Sequence, residues 1–231
     1  GLLSGGGKFV GIGTAALQGA MDADATGTVA IGWAAGNAIT SGEANTAVGF
    51  QSGKVITDGD YNTLLGYNAG VAMVGGLSNT CVGWLSGAAI INADHNVAIG
   101  HYAMPTSSND SSNYNIAIGS NTLDAIVGNV ATSNVAIGYN AGTDLTSGDN
   151  NTLIGNSAGS GITTASNSVM IGSGATGGVL VADDNTVIGY GAGAALAGGD
   201  SNVCVGKDAG NTISNANGCV IVGKGSDAAS D

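Results

Sequence analysis

Along this chain two apolar or β-branched residues recur with a single residue between them, and glycine follows at once. The pattern reads Thr46-Ala47-Val48-Gly49, then Thr63-Leu64-Leu65-Gly66, then Thr80-Cys81-Val82-Gly83. Anchored on that glycine there are thirteen copies, at Gly13, Gly32, Gly49, Gly66, Gly83, Gly100, Gly119, Gly138, Gly155, Gly172, Gly189, Gly206 and Gly223. Nine of the twelve spacings are 17 residues and three are 19, so the repeat organises the chain. The residue three before the anchor is β-branched in every copy and the residue one before it is aliphatic. Spacing of two with such residues predicts a short strand in each copy, with this pair on one face.

The residue between them is Ala30, Ala47, Leu64, Cys81, Ala98, Ala117, Ala136, Leu153, Met170, Val187, Cys204 or Ile221, with Gly11 in the first copy. No charge or amide ever stands there, so the second face of the strand is also expected to be covered. The pair is expected to pack inside the chain's own coil. The column between is expected to meet a second copy of the chain, as an oligomer interface.

The other columns complete the unit. Asparagine stands four before the anchor in most copies, for example Asn45, Asn62, Asn79, Asn96 and Asn134. It suits a left-handed corner and can bond to its like up a stack. Seven after the anchor most copies are aliphatic again, for example Ile39, Ile56, Met73 and Ile90, which predicts a shorter return strand. A polar turn such as "TSGEAN" or "TDGDYN" closes the unit. A unit of this size cannot bury its apolar edge alone, and stacking does so. The expected fold is all-β: a parallel β-roll, or solenoid, of about thirteen coils of 17–19 residues, a rod of roughly 58 Å at the ~4.8 Å strand spacing. One solenoid is expected over residues 9–226, between an N-terminal segment at 1–8 and a C-terminal tail at 227–231.

Composition fits this reading. There are 43 glycines in 231 residues and one proline, which excludes collagen, and hydrophobic residues at 43% exclude a disordered chain. With 4 basic against 16 acidic residues the net charge is −12, which disfavours nucleic acid and anionic membrane surfaces. No run of ~18 apolar residues is present to insert into a bilayer. The opening "GLLSGGGKFV" is too short and glycine-rich for a signal peptide. Three cysteines do not make a disulfide scaffold.

Candidate chemistry is sparse. One after the anchor stand Trp33, Phe50, Tyr67, Trp84, His101, Tyr139 and Tyr190, which could present a platform to sugar rings or could shield the bend. The 19-residue coils hold "MPTSSNDSSNY", with Pro105, Asn109 and Tyr114, where a uniform rod could become specific. An acidic row at Asp24, Glu43, Asp60, Asp94, Asp149, Asp183 and Asp200 could take calcium or simply keep the edge soluble. His95 and His101 lack a third metal ligand of fixed geometry, so no resident metal or other cofactor is expected. No nucleophile motif opens a helix, and "GSGATG" at 172–177 lies in a repeat column, so no enzyme is expected.

"NVAIGYNAG" at 134–142, "NTAVGFQSG" at 45–53 and "NVAIGHYAM" at 96–104 resemble the head repeats of trimeric autotransporter adhesins of the YadA type, and related repeats of bacteriophage tail fibres. The resemblance covers about residues 9–226, and the 17-residue unit is closer to the phage-fibre version. It implies a left-handed roll, three chains about one axis, and adhesion to a cell-surface glycan or protein. It also implies an extracellular place, on a virion tail fibre or a bacterial surface, and no catalytic residues. Two other expectations stand beside it. One is end-to-end self-association into an extracellular filament. The other is ice binding, which the threonine column at 46, 63, 80, 152 and 186 would serve only if it faced outward.

Overall fold

The computed structural model describes residues 8–20, 25–106, 111–126, 130–178 and 180–226. It contains thirteen strands of three residues each: β1 (Val10–Ile12), β2 (Val29–Ile31), β3 (Thr46–Val48), β4 (Thr63–Leu65), β5 (Thr80–Val82), β6 (Val97–Ile99), β7 (Ile116–Ile118), β8 (Val135–Ile137), β9 (Thr152–Ile154), β10 (Val169–Ile171), β11 (Thr186–Ile188), β12 (Val203–Val205) and β13 (Val220–Val222). Each is the triplet that the repeat predicts. The chain divides into two compact units, Gly1–Tyr114 and Asn115–Asp231, where the sequence alone suggests one. The first holds β1 to β6 and the second β7 to β13. Within each unit successive strands pair in parallel and in column register, as in Thr46↔Thr63, Ala47↔Leu64 and Val48↔Leu65, so each unit is a β-solenoid.

The facing of the strands is the reverse of the expectation. In β2 to β13 the middle residue is buried within the single chain and its two neighbours are half-buried or exposed. Ala30, Ala47, Leu64, Cys81, Ala98, Ala117, Ala136, Leu153, Met170, Val187 and Cys204 are all 0% exposed, and Ile221 is 5%. These residues cannot be an oligomer interface, because their own coil already covers them. The β-branched pair points outward.

Packing inside each coil explains why the middle column varies. The position four after the anchor faces the same interior. Gly11, Ala98 and Ala117 are small where Leu17, Met104 and Leu123 fill that position, all three buried. Leu64 and Leu153 are large where Gly70 and Gly159 leave room, and a Cβ on either glycine would press on the leucine side chain. Ile39, Ile56, Met73, Ile90, Leu145 and Leu196 close the far side of the core, all 0% exposed. Where both positions are small, as Ala47 with Gly53 and Ala136 with Gly142, the leucines of adjacent coils, Leu64 and Leu153, reach into the space, so the interior stays filled along the stack.

The return limb is not a strand. Among the described residues it is a run of turns, with one bridge outside the named strands, joining Ile162 to Leu180. Left-handed residues two and four after the anchor, such as Gln51 (φ 53°) and Gly53 (φ 55°), bend the limb too often for an extended segment. Neighbouring limbs are still hydrogen-bonded, as where Thr57 N–H donates to Val74 C=O at 3.0 Å and Val74 N–H to Ile91 C=O at 2.8 Å.

The asparagine column forms the predicted ladder, with one correction. The left-handed residue is the one before it, as at Tyr61 (φ 58°) and Ser78 (φ 56°). The asparagines themselves are buried. Asn45 Oδ1 accepts from both the backbone N–H (3.0 Å) and Nδ2 (3.1 Å) of Asn62. Asn62 Nδ2 also donates to Gly76 C=O at 2.6 Å. The amide thus uses both donors of the nitrogen and both lone pairs of the oxygen, so its burial costs little.

The anchor glycine sets how closely coils approach. Gly49 lies at φ 137°, and a Cβ there would overlap the carbonyl oxygen of Gly66. Gly49→Ala is therefore expected to lower stability by at least ~3 kcal/mol, read as a large fall in Tm, since the obstruction is backbone and cannot rotate away. Thr176 is the opposite case: a β-branched residue at φ 49°, with a buried hydroxyl that has no partner. Thr176→Gly relieves the strain and the orphaned hydroxyl and loses one buried methyl, so a net gain of about 1 kcal/mol is expected in denaturant unfolding.

Candidate functional site

The aromatic column becomes a stack in the first unit. The coil repeat brings one ring above the next on the edge just past the strands. Trp33 and Phe50 lie 4.8 Å apart between centroids, Phe50 and Tyr67 5.0 Å, Tyr67 and Trp84 6.4 Å, and Trp84 and His101 4.7 Å. Interplanar angles run from 6° to 20°, so each ring turns its faces to its neighbours and its rim to water. The first four are 40–46% exposed. A flat platform for sugars would need open ring faces, and inside this stack the faces are taken.

The remaining predicted contacts are scattered. Tyr139 and Tyr190 lie in the second unit, three coils apart. Lys207 Nζ sits 5.6 Å from the centre of the Tyr190 ring and 3.3 Å from the Asp208 carboxylate. Pro105 is buried and cannot meet a ligand, a correction to the expectation. Tyr114 is exposed but belongs to the opposite edge, where it stacks on His95 at 5.0 Å. Asn109 and Asp24 fall outside the described residues. Tyr102, which no column pattern singled out, tilts against Trp84 at 5.0 Å and His101 at 5.2 Å. Its column holds residues as varied as Ala34, Gln51, Asn68, Leu85 and Asp208, and no other ring, so nothing in the sequence marked it.

The acidic row has a backbone task. Asp60 Oδ1 accepts the N–H of Glu43 at 2.8 Å, Asp183 Oδ1 that of Ser166 at 2.8 Å, and Asp200 Oδ1 that of Asp183 at 2.9 Å. Asn113 and Asn217 do the same in the same column, for Asp94 and Asp200, so the bond does not depend on charge. A coil supplies one such engaged oxygen, or none, as at Leu77. Calcium takes about six to eight oxygens, and this donor set does not fit it. His95 and His101 sit on opposite edges of β6, each against a different ring, so they do not converge on a metal.

No disulfide joins the cysteines. Cys81 and Cys204 are buried in the middle column and Cys219 is half-buried. Burial pushes the Cys81 thiol from its ordinary 9.0 up to about 12.

No protein-family model, curated protein or solved structure matches the chain.

The inward facing of the middle column can be tested by thiol labelling. At pH 8 a thiol reagent is expected to take Cys219 quickly and to leave Cys81 and Cys204 unmodified until denaturant is added. Fast labelling of all three in the native protein would put the middle column outside. The raised Cys81 pKa also sets a stability window. Its contribution is complete below pH 9, where the thiol is neutral folded or unfolded, and drains away as pH rises through about 12.

Proposed function

We propose that this chain is a non-catalytic structural module of an extracellular fibre, assembled from several copies and adhering to a cell-surface glycan or protein. The observation that carries the reading is the outward face of the strands. It is made of β-branched and aliphatic side chains, Val29 and Ile31, Thr46 and Val48, and so on up each unit, partly exposed and without one charge. Apolar patches of this extent on a regular sheet mark association surfaces. A second copy of the chain supplies a matching face with the same axial repeat and the same lack of charge. The acidic residues stand on the turns, away from it. Three copies, and a place on a tail fibre or a bacterial surface, rest on the resemblance of the "NVAIG" and "NTAVG" repeats to adhesin and fibre repeats.

The same face supports a second reading. Thr46, Thr63 and Thr80 begin successive strands and point outward, in register. The threonine column thus has the outward facing that ice binding requires. Val97 and Val135 interrupt the threonine column, which keeps this reading second.

Light scattering of the purified protein is expected to give a discrete oligomer, three chains if the fibre resemblance holds. Val48→Asp should release monomer, since an unpaired buried carboxylate costs several kcal/mol. A wild-type monomer at micromolar concentration would sink the assembly, and thermal hysteresis from that monomer would favour the ice-binding reading. A glycan array on the intact oligomer tests adhesion.

A further inference from the structure

The strand face is bordered by two rows of rings, one on each edge, and both are richest in the first unit. Past the strand C-termini runs the stack Trp33, Phe50, Tyr67, Trp84 and His101. Before the strand N-termini, five residues ahead of the anchor, stand Tyr61, His95 and Tyr114, with Tyr61 56% and Tyr114 59% exposed. Tyr61 is held by its hydroxyl, which donates to Glu43 Oε1 at 2.6 Å, and His95 by its stack on Tyr114. In the second unit the C-terminal border keeps two isolated rings, Tyr139 and Tyr190, among Ser120, Asn156, Ser173 and two lysines, while beyond Tyr114 the N-terminal border has no ring and carries Ser133, Asn150 and Asn167 among others. Ring rows therefore occur as a matched pair, on opposite borders of one apolar face.

Symmetry says what that pairing is for. Two copies that keep their coil repeats in register must lie with their stacking axes parallel or antiparallel. A rotation about an axis parallel to the stack carries the C-terminal border of one strand face to the N-terminal border of the next, whatever the number of copies. Closed symmetry permits no shift along the axis, so each coil meets the same coil of its neighbour. Tyr61 and Tyr67 flank β4, and His95 and His101 flank β6. We infer that an aromatic seam joins adjacent copies of this chain, in which Tyr67 of one copy meets Tyr61 of the next and His101 meets His95. The inference rests on assembly through the strand face. It gives the ring rims, left in water by the stack, a partner of their own kind, and aromatic contacts at rim geometry are favourable. It also makes the first unit the one that sets partner choice.

The test is directed cross-linking of the full chain. Cys219 is replaced by serine, and Cys81 and Cys204 stay as buried thiols. Tyr61→Cys and Tyr67→Cys are introduced singly and together, as are His95→Cys and His101→Cys. Copper-phenanthroline in air oxidises neighbouring thiol pairs to disulfides. Within one chain the two positions of a pair lie on opposite borders, so a bridge must join copies. Each double variant is expected to give at least ~10-fold more covalent multimer on non-reducing gels than either single variant, because the oligomer sets a millimolar-range local concentration. Light scattering before oxidation separates the possible failures. An intact oligomer whose double variants do not bridge overturns the seam and leaves the assembly standing. Bridging by Tyr67→Cys alone would place like borders together and also overturns it. A wild-type monomer overturns both. Should one pair fail to fold, the other decides.

Discussion

Everything in this molecule depends on how closely one coil can lie against the next. At the anchor column the backbones approach so nearly that a single Cβ on Gly49 would enter the carbonyl oxygen of Gly66. The glycine also holds a φ near 137°, which L side chains rarely adopt. Its N–H then donates to the residue before the preceding anchor, Gly49 to Ile31 and Gly66 to Val48, each at 2.8 Å. Close approach, dihedral and hydrogen bond thus coincide at one position per coil. They fix the axial step, and every other column inherits it.

Once the step is fixed, any side chain repeated in a column becomes a ladder, and its chemistry decides what the ladder does. Asparagine gives a buried amide chain with no polar group left over. Aspartate, placed on the turn, gives oxygens that cap backbone N–H groups of the coil before. Rings give a stack. A row of like charges should be unfavourable at this spacing. The row tolerates it because Asn113, Ser166 and Asn217 interrupt the carboxylates while keeping the bond, as where Ser166 Oγ accepts Asp149 N–H at 3.1 Å. Charge is therefore incidental to this bond, and Leu77 in the same column shows that a coil can also go without the oxygen.

The strands, their length and their register were legible, because period-two spacing beside an invariant glycine admits few other structures. The facing was not, and the reason is physical. Alternation divides residues between two faces but does not say which is inside. The deciding signal was present in a different form. A solvent or partner face tolerates uniform β-branched residues, whereas an interior must conserve volume. Gly11 with Leu17, Ala98 with Met104, and Leu64 with Gly70 trade size across one coil, and only residues sharing an enclosed space need to do so. Sizes compared in pairs place Gly11, Ala98 and Leu64 inside, and Ala47, which pairs with Gly53, follows only by sharing their column. The return limb was misjudged for a related reason. Ile56 and Met73 marked its buried residue, but the left-handed positions around them were occupied by residues as different as Gln51, Asn68 and Leu85, and no composition rule separates those from a strand. Tyr102 shares that column and was hidden by the same irregularity.

The reversal of facing changes what the ring column means. While the middle column was the expected interface, the rings lay at a bend remote from any partner, and an external ligand was the natural use for them. With the β-branched pair outward, the rings stand at the border of the proposed association face itself. Their geometry agrees with that position. A ring that stacks on its own kind above and below has spent its faces within the chain, and what it offers a second molecule is a rim and, on Trp33, Tyr67, Trp84 and His101, a polar atom. Rims suit an adjoining aromatic edge better than the flat side of a sugar. On the proposed assembly the second unit, with the same strand face and only the isolated rings Tyr139 and Tyr190 on its C-terminal border, would associate mainly through aliphatic contact. On that proposal the contrast between the units separates what would hold copies together from what would decide how they are turned.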